Sequence, residues 1–512
     1  MAKRALIFDC YTVEPAGLGV PPYLSSYVRY AFSALQASGQ YEEIAYATID
    51  DFRTAVGIKT EYAVMRGFSD PLTYSKTYNA PRILELLSEA DTVVLIAGDA
   101  VPSVHLHAIN GELSEIVQAM NHVRGSRIVL GPASNYLRDS THPENRQFQA
   151  FHAQNFSPEN MLQGSTAPIS YERLNSLIGT YEPLVAQIPW KVIAEIELYR
   201  GCTRSKYCAF CNEPVKNRIV DFRPPEDVIR EIGLLYDAGV RNFRLGQQAC
   251  FFSYYNRDVA KIEQLLSGIR ERCPQLEVLH IDNVDPLAAA SVQGKKIAKL
   301  VVEYCTEGNC APMGIESFDQ NVVKVNNLTC TPEVLIRAIS NIQEFGAEVG
   351  PLGQGKLLPG LNLIYGLPGG SRYTHLENMK WLLKIMDEGY HCSRTNVRMV
   401  KVYQGTGLED KDLSGNKTLE HDFETWKRDI SELYDRPMKE RVFPTGTVHR
   451  NLHSFFVNEQ GTWFRRLGSY PIMVIVPNTS FPLYEEHDLV VTEHGGRHIY
   501  GETIRSVTGT GR

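Results

Sequence analysis

No uninterrupted apolar stretch of this chain is long enough to span a bilayer, so no segment is expected to cross a membrane. Positive charge is not in excess either. The 52 Lys and Arg residues stand against 59 Asp and Glu, a formal net charge of −7 that argues against a large nucleic-acid footprint. Cysteine is sparse: ten in 512 residues do not make a disulfide scaffold, and a reducing cytoplasm is the expected setting. The opening Met-Ala-Lys-Arg runs straight into Ala5–Phe8, too short an apolar region for a signal peptide. At 43% hydrophobic and 22% charged residues, the composition is that of an ordinary globular protein. Its length suits roughly two to four domains.

Three of those cysteines fall together. Gly201-Cys202-Thr203-Arg204-Ser205-Lys206-Tyr207-Cys208-Ala209-Phe210-Cys211 follows an apolar run (Val192, Ile193, Ala194, Ile196, Leu198) that reads as a strand entering a loop. Short loops hold Cα atoms badly for disulfides, but thiolates so spaced can converge on an iron–sulfur centre. Three ligands instead of four would leave one iron open to a substrate or cofactor. A zinc site would need a fourth Cys or His at similar spacing, and Cys250 and the histidines are remote in sequence. Zinc and plain buried thiols stand as the alternatives.

Residues 1 to about 140 alternate strands with helices. Strands are expected at Ala5–Phe8, Ile44–Ala47, Thr92–Gly98 and Ile128–Gly131, and helices at Pro22–Ser38, Ala80–Ala90 and Leu113–Val123. This alternation predicts a doubly wound parallel sheet, which binds ligands beyond the carboxyl ends of its strands. The stretches in that position are Tyr11–Pro21, Asp99–Ser103 and Gly131–Ser134. Residues 141–190 lack sustained periodicity and read as a connector. From 191 to 405 six βα-like units follow, with strands at 191–199, Asn242–Leu245, Leu276–Ile281, Ala311–Ile315, Leu361–Tyr365 and Thr395–Val402. In β/α barrels the groups that act collect where strands end. The strand-end candidates are Gln247 and Gln248, Asp282 and Asn283, Glu316 and Ser317, and Gly366. Residues 406–512 are expected to form a small α+β domain: a helix at Leu419–Met438, then short strands at Pro471–Val476, Asp488–Thr492 and His498–Thr503.

The cysteine loop, with Phe210 just before its last Cys, resembles that of the radical S-adenosylmethionine superfamily. The usual Cys-x3-Cys-x2-Cys becomes Cys-x5-Cys-x2-Cys here. The resemblance implies a 4Fe–4S cluster on Cys202, Cys208 and Cys211. The open iron would chelate S-adenosylmethionine, whose reduction yields a 5′-deoxyadenosyl radical. It also implies a partial (β/α)6 barrel, with Glu316, Ser317, Gln247, Gln248 and Gly366 as contacts to S-adenosylmethionine. The α/β domain ahead of the loop resembles the cobalamin-binding domain of many radical enzymes. That likeness makes Tyr11, Gly17, Val101, Pro102, Ser103, Gly131 and Ser134 cobalamin candidates. The loop after the first strand begins Asp9-Cys10-Tyr11 and lacks the axial His of better-known cobalamin domains, so ligation without histidine is expected there. His105 and His107 lie past a strand end and are read as surface or helix residues.

Together these likenesses imply a cobalamin-dependent radical methyltransferase acting on an unactivated sp3 carbon. One S-adenosylmethionine would generate the radical and another would remethylate the cobalt. The domain order, the extended cysteine gap and the C-terminal extension most resemble the archaeal enzyme that methylates the α-carbon of a glutamine in methyl-coenzyme M reductase. This implies a protein substrate and an electron donor to the cluster, with neither membrane nor nucleic acid as partner. Two rivals stay open, a methylase of a small molecule or lipid and a tRNA-modifying methylthiotransferase. The second would need another cysteine cluster and a basic C-terminal barrel. Cys10, Cys273, Cys305, Cys310, Cys330 and Cys392 read as buried small hydrophobes, and Cys250 as a thiol facing the presumed cavity. The C-terminal region is expected to cap the open barrel face, with Trp463, Phe464 and Tyr470 lining a peptide groove or filling a core.

Overall fold

A computed structural model describes residues 3–12, 21–58, 75–97, 110–130, 149–150, 170–403, 405–411, 413 and 416–504. It is a mixed α/β protein with parallel sheets. The chain divides into two compact units, one of Met1–Leu198, Asp221–Gln247 and Gly268–Glu277, the other of Tyr199–Val220, Gln248–Ser267 and Val278–Arg512.

In the first unit β1 (Lys3–Asp9) is central, and its Ala5–Phe8 core is buried throughout, as a parallel strand covered on both faces should be. β2 (Tyr23–Leu24) and α1 (Ser26–Ser38) follow, then β3 (Tyr41–Thr48), α2 (Ile49–Val56), α3 (Ile83–Glu89), β4 (Thr92–Ile96), α4 (Leu113–Met120), β5 (Ser126–Leu130) and β6 (Gln149–Ala150). Five of these strands form one parallel sheet in the order β3-β1-β4-β5-β6, the doubly wound arrangement whose switch point lies between β1 and β4. β2 does not join them. It pairs instead with β7 (Ile193–Glu197), which continues to α5 (Pro225–Asp237) and β8 (Asn242–Gly246), so a second sheet runs β8-β7-β2.

Helix α1 therefore touches both sheets of this unit. Its Arg29 is fully buried and donates to Glu231 at 3.0 Å and to the Leu24 carbonyl at 2.7 Å. Arg223 reaches the other oxygen of Glu231, and the Tyr181 hydroxyl donates to it at 3.2 Å. Burial alone would raise the Glu231 carboxyl, yet the two guanidinium groups hold it down at about 2.

In the second unit β9 (Val278–Ile281) is followed by α6 (Val292–Tyr304), β10 (Asn309–Glu316), α7 (Pro332–Gly346), β11 (Leu357–Tyr365), α8 (Arg372–Asp387) and β12 (Arg394–Met399). Strands β10-β11-β12 form a parallel sheet. α7 starts on a Thr331 N-cap that accepts from the Val334 amide, with Pro332 in the first turn, a helix start the sequence spells out. Two helices, α9 (Asn416–Ile430) and α10 (Arg436–Val442), lead to the C-terminal strands.

Where the sequence suggested three C-terminal strands, there are five: β13 (Val448–Asn458), β14 (Gly461–Arg465), β15 (Met473–Pro477), β16 (Glu486–His494) and β17 (Ile499–Thr503). They close into a barrel in the order β13-β14-β15-β17-β16, antiparallel except for β15 with β17, which is the strand order of an OB-fold. Leu452, Phe464, Val474, Leu489, Val491 and Ile499 fill it. Phe464 is thus core and lines no groove.

The barrel packs against the entry ends of the strands in its own unit. Arg466 pairs with Glu307 just before β10 at 3.1 Å, the Arg450 amide donates to Leu352 O before β11, and Arg394 at the start of β12 lies over the Tyr470 ring. Gly468 has φ 153, and a Cβ there would fall 2.7 Å from the His280 ring. These contacts lie at the entry ends of β10, β11 and β12, while Tyr470 also reaches Asp282 just past the exit of β9.

Among the described residues no helix is long and apolar enough to cross a membrane.

Candidate functional site

The three cysteines lie in the second unit, on a loop pinned at several points. Gly201 has φ 82, and a Cβ there would sit 2.8 Å from the Ile219 carbonyl, so only glycine fits. The Gly201 amide donates to Glu213 at 2.9 Å, which draws the two ends of the loop together. The Cys211 amide donates to the Cys208 carbonyl at 3.1 Å, closing the turn between the last two thiols. Phe210, Ala209 and Cys208 pack against an apolar cluster of Val322, Val323, Leu328, Leu367 and Leu408.

One buried asparagine ties this loop to two strand-end loops. Asn326 is fully buried; its carbonyl accepts from the Ala209 amide at 3.0 Å, and its side-chain amide donates to Pro368 O and Val322 O, each at 2.8 Å. The cysteine loop, the loop after β10 and the loop after β11 are thereby held as one piece. Nothing in the periodicity around Asn326 announces this role, because its partners lie more than a hundred residues away and about forty residues ahead.

Glu316 ends β10 in a left-handed backbone conformation, φ 62. Its Oε2 is shielded from solvent and has no hydrogen-bond partner among the described residues. Burial pushes this carboxyl up to about 8, against the opposing pull of Arg398 and Arg204. A buried carboxylate oxygen without a partner is an acceptor in want of a hydrogen-bond donor. Gly366, φ 81, lines a small recess with Val322, Ile364, Leu367, Thr374 and Trp426.

Arg204, which the sequence reading passed over, sits inside the five-residue gap. It donates to Cys208 Sγ at 3.0 Å and to Thr329 Oγ1 at 2.5 Å, and its Nε lies 4.0 Å from Asp285.

The other candidates are placed differently. The hydroxyl of buried Ser317 donates to Asn378 at 3.5 Å and accepts from the Asp319 amide at 3.1 Å, a role in holding the β10 exit. Gln247 belongs to the first unit, where Ser26 donates to its side chain. Gln248 is buried in the second. Asp282 accepts from the Tyr470 hydroxyl, and the Asn283 carbonyl accepts from the Phe251 amide. Cys250 is buried, its sulfur accepting from the Asp285 amide at 3.1 Å and its thiol pushed by burial to about 11, so it stays protonated. Tyr11 is buried, φ 65, and its hydroxyl donates to Asp50 at 2.8 Å while its amide donates to Asp9. It shapes the turn after β1 and offers no free polar tip there. Gly17, Val101, Pro102, Ser103, His105, His107, Gly131 and Ser134 lie outside the described residues.

The donor set can be tested on its own chemistry. None of the ten cysteines is in a disulfide, and Cys202, Cys208 and Cys211 alone are half-buried, the rest being buried. Burial pushes the Cys208 thiol up to about 12; Arg204 opposes this, while Cys211, Glu316 and Cys202 add to it, so these groups share one electrostatic neighbourhood. No three His, Cys, Asp or Glu side chains among the described residues converge as ligands to one ion. A four-iron cluster makes no such demand, since each thiolate takes a different iron. The three half-buried thiols fit that group.

No family model matches the chain. It is 34% identical over 545 aligned residues to the uncharacterized protein MJ0274 of Methanocaldococcus jannaschii, spanning 99% of this chain and 94% of that one. The chain belongs to the MJ0274 family. An uncharacterized protein of Archaeoglobus fulgidus is also similar to this MJ0274-family chain, at 32% identity over 97% of it and 89% of the relative. Among solved structures it is similar to OxsB, a cobalamin-dependent S-adenosylmethionine radical enzyme solved with aqua-cobalamin and S-adenosylmethionine bound. The TM-score is 0.47 at 11% identity, over 83% of this chain and 56% of that one. It is also similar to the radical SAM coproporphyrinogen III oxidase HemN of Escherichia coli, with TM-score 0.31 and 18% identity over 44% and 48% of the two chains. The chain thus spans about half the length of the solved structures it matches.

Proposed function

We propose that this chain is a cobalamin-dependent radical S-adenosylmethionine methyltransferase. The observation that carries the reading is the loop of three half-buried thiols sharing one electrostatic neighbourhood with the shielded, unpartnered carboxylate oxygen of Glu316. Cys202, Cys208 and Cys211 would hold the 4Fe–4S cluster. Glu316 would bind the ammonium or ribose hydroxyls of S-adenosylmethionine by charge-assisted hydrogen bonds, and the recess at Gly366 would back its adenine. The carboxyl edge of the first unit's sheet would take cobalamin. When bound, these groups supply a hydrogen-abstracting radical and a methyl donor able to react in one-electron steps.

The chain's own residues do the rest. Asn326 and the Phe210 cluster keep the thiols in fixed register with the β10 and β11 exits. Glu316, held near neutrality by burial, becomes a full carboxylate once an ammonium approaches, so its charge develops with its ligand.

Within this class we take the substrate to be a protein, and more narrowly a glutamine of methyl-coenzyme M reductase methylated at its α-carbon. This narrower step rests on the domain order and cysteine spacing. Phe464 is core and the Tyr470 hydroxyl is engaged by Asp282, so we assign the peptide to the exit ends of β10 and β11 beside the cysteine loop. The OB-type strand order of that barrel favours one second reading, an RNA-modifying enzyme.

The test is anaerobic incubation of the reconstituted protein with cobalamin, S-adenosylmethionine, a low-potential reductant and either glutamine-containing peptides or tRNA. A peptide product heavier by about 14 daltons, one methylene, together with deoxyadenosine, supports the reading. Modification of tRNA alone moves the assignment to the second reading. Iron and sulfide without corrinoid binding would sink the methylase.

A further inference from the structure

We propose that Arg204 is a positioning residue that tunes the redox potential of the site. By donating a charged hydrogen bond to the Cys208 sulfur, it raises the potential at which a cluster on Cys202, Cys208 and Cys211 accepts an electron. The proposal rests on the cluster assignment made above and goes beyond it.

The geometry is specific. One terminal nitrogen of Arg204 lies 3.0 Å from Cys208 Sγ. The other donates to Thr329 Oγ1 at 2.5 Å and lies 3.5 Å from the Asn327 carbonyl. The Nε faces Asp285 at 4.0 Å. Asp285 is itself fixed, since its carboxylate caps a helix by accepting from the Leu287 amide at 2.8 Å. A guanidinium anchored along its whole fork is not a solvated surface charge, and it cannot discharge by losing its proton.

Position in the sequence explains why this is available. Arg204 and Cys208 are four residues apart within the widened gap, and the extra length lets the side chain fold back on the middle thiolate. Lys206, the other cation of the gap, is exposed and makes no such contact among the described residues.

The sign follows from charge. Reduction adds one electron, hence one negative charge, to the cluster and its thiolates, and no bond forms or breaks in that step. A fixed N–H···S donor with a full positive charge stabilises the reduced state more than the oxidised one. The anionic groups nearby, Asp285 and Glu316, act in the opposite sense. The first is turned toward the guanidinium, and burial holds the second near neutrality. The electron itself comes from a low-potential one-electron donor.

The experiment compares wild type, Arg204→Gln, Arg204→Lys and Thr329→Val, reconstituted anaerobically with iron and sulfide. Each is then titrated with titanium(III) citrate while the reduced cluster is followed by electron paramagnetic resonance. At the potential that half-reduces the wild type, Arg204→Gln should show a reduced-to-oxidised ratio at least tenfold lower, which is 59 mV for one electron. Arg204→Lys should recover part of the shift, and Thr329→Val, which keeps the charge but loosens its hold, should fall between. A residue that merely braces the loop would change how much iron is retained and leave the potential alone. If Arg204→Gln loads a cluster at the wild-type potential, the proposal is overturned. If Arg204→Gln takes up no iron, Thr329→Val decides, and a wild-type potential there overturns it equally. A wild-type chain that binds no iron and sulfide overturns the cluster reading and this proposal with it, whereas a loaded, unshifted variant overturns this proposal alone.

Discussion

The hydroxyl of Tyr470 donates to Oδ1 of Asp282 at 2.7 Å, joining a loop of the C-terminal barrel to the residue that follows β9. Two positions earlier on the strand, His280 Nδ1 accepts from the Ser469 amide at 2.9 Å and its Nε2 lies 3.2 Å from the Glu307 carbonyl. The barrel loop is therefore a plug, hydrogen-bonded at His280 within β9 and at Asp282 just past its carboxyl end.

Removing the phenol should therefore destabilise without touching the site. Tyr470→Phe takes a hydrogen bond from a fully buried carboxylate, a change that costs about 1–3 kcal/mol. Denaturant unfolding should register that loss while iron per chain after reconstitution stays at the wild-type level. A variant of wild-type stability would mean the plug carries no load.

Cluster ligation should be confined to three thiols. Cys202→Ala, Cys208→Ala and Cys211→Ala should each abolish the broad visible absorbance of the reconstituted protein, and Cys250→Ala should leave it intact because that thiol is buried and protonated. Persistence of the absorbance in any of the first three would refute the ligand assignment.

Asn326→Ala should loosen the cysteine loop from the β10 and β11 exits. Two side-chain hydrogen bonds to carbonyls disappear in a fully buried place, at about 1–3 kcal/mol, and cluster retention should fall with them. Unchanged iron content would show that the Phe210 packing alone suffices.

Stability should carry two opposite pH signatures. Glu231 is held down at about 2 against an ordinary 4.5, so the unfolded chain binds the extra proton. That contribution is present above about 4.5 and lost as pH falls toward 2. Glu231→Gln leaves Arg29 and Arg223 without their buried counter-ion, should cost about 3–5 kcal/mol at neutral pH, and should flatten the acid limb. Glu316 is raised to about 8, so here the folded chain binds the extra proton, and stability should decline as pH rises from 4.5 through 8. Glu316→Gln should lessen that decline, most of all near pH 8, because Asp9, raised to about 7, and Asp51 and Asp435, raised to about 6, act in the same sense at lower pH. Denaturation midpoints of the unliganded protein between pH 3 and 9 check both.

Much of the secondary structure was legible because it is local. The helix at Pro332 announces itself through a Thr cap and a Pro in the first turn, and Ala5–Phe8 through an unbroken apolar run. The strand at Tyr23–Leu24 falls where the sequence predicts the start of a helix, since two residues carry no period and only their pairing with Ile193 and Ala194 makes them a strand. Val448–Asn458 and Gly461–Arg465 were missed for a related reason. Their buried and exposed residues do not alternate cleanly, because β13 is shared between two neighbours and kinks at register shifts near His449 and Ser454.

By itself the sequence determined the alternation of strand and helix, the tight spacing of Cys202, Cys208 and Cys211, and the helix start at Thr331-Pro332. All of these follow from residues within a few positions of one another. Only the tertiary structure decided that Arg204 returns to Cys208 under the grip of Thr329, that Asn326 ties three loops together, and that the C-terminal barrel meets the entry ends of β10, β11 and β12 and the exit of β9. Each depends on side chains brought together across tens to hundreds of residues, where no local pattern of hydrophobicity or turn chemistry can specify the partner.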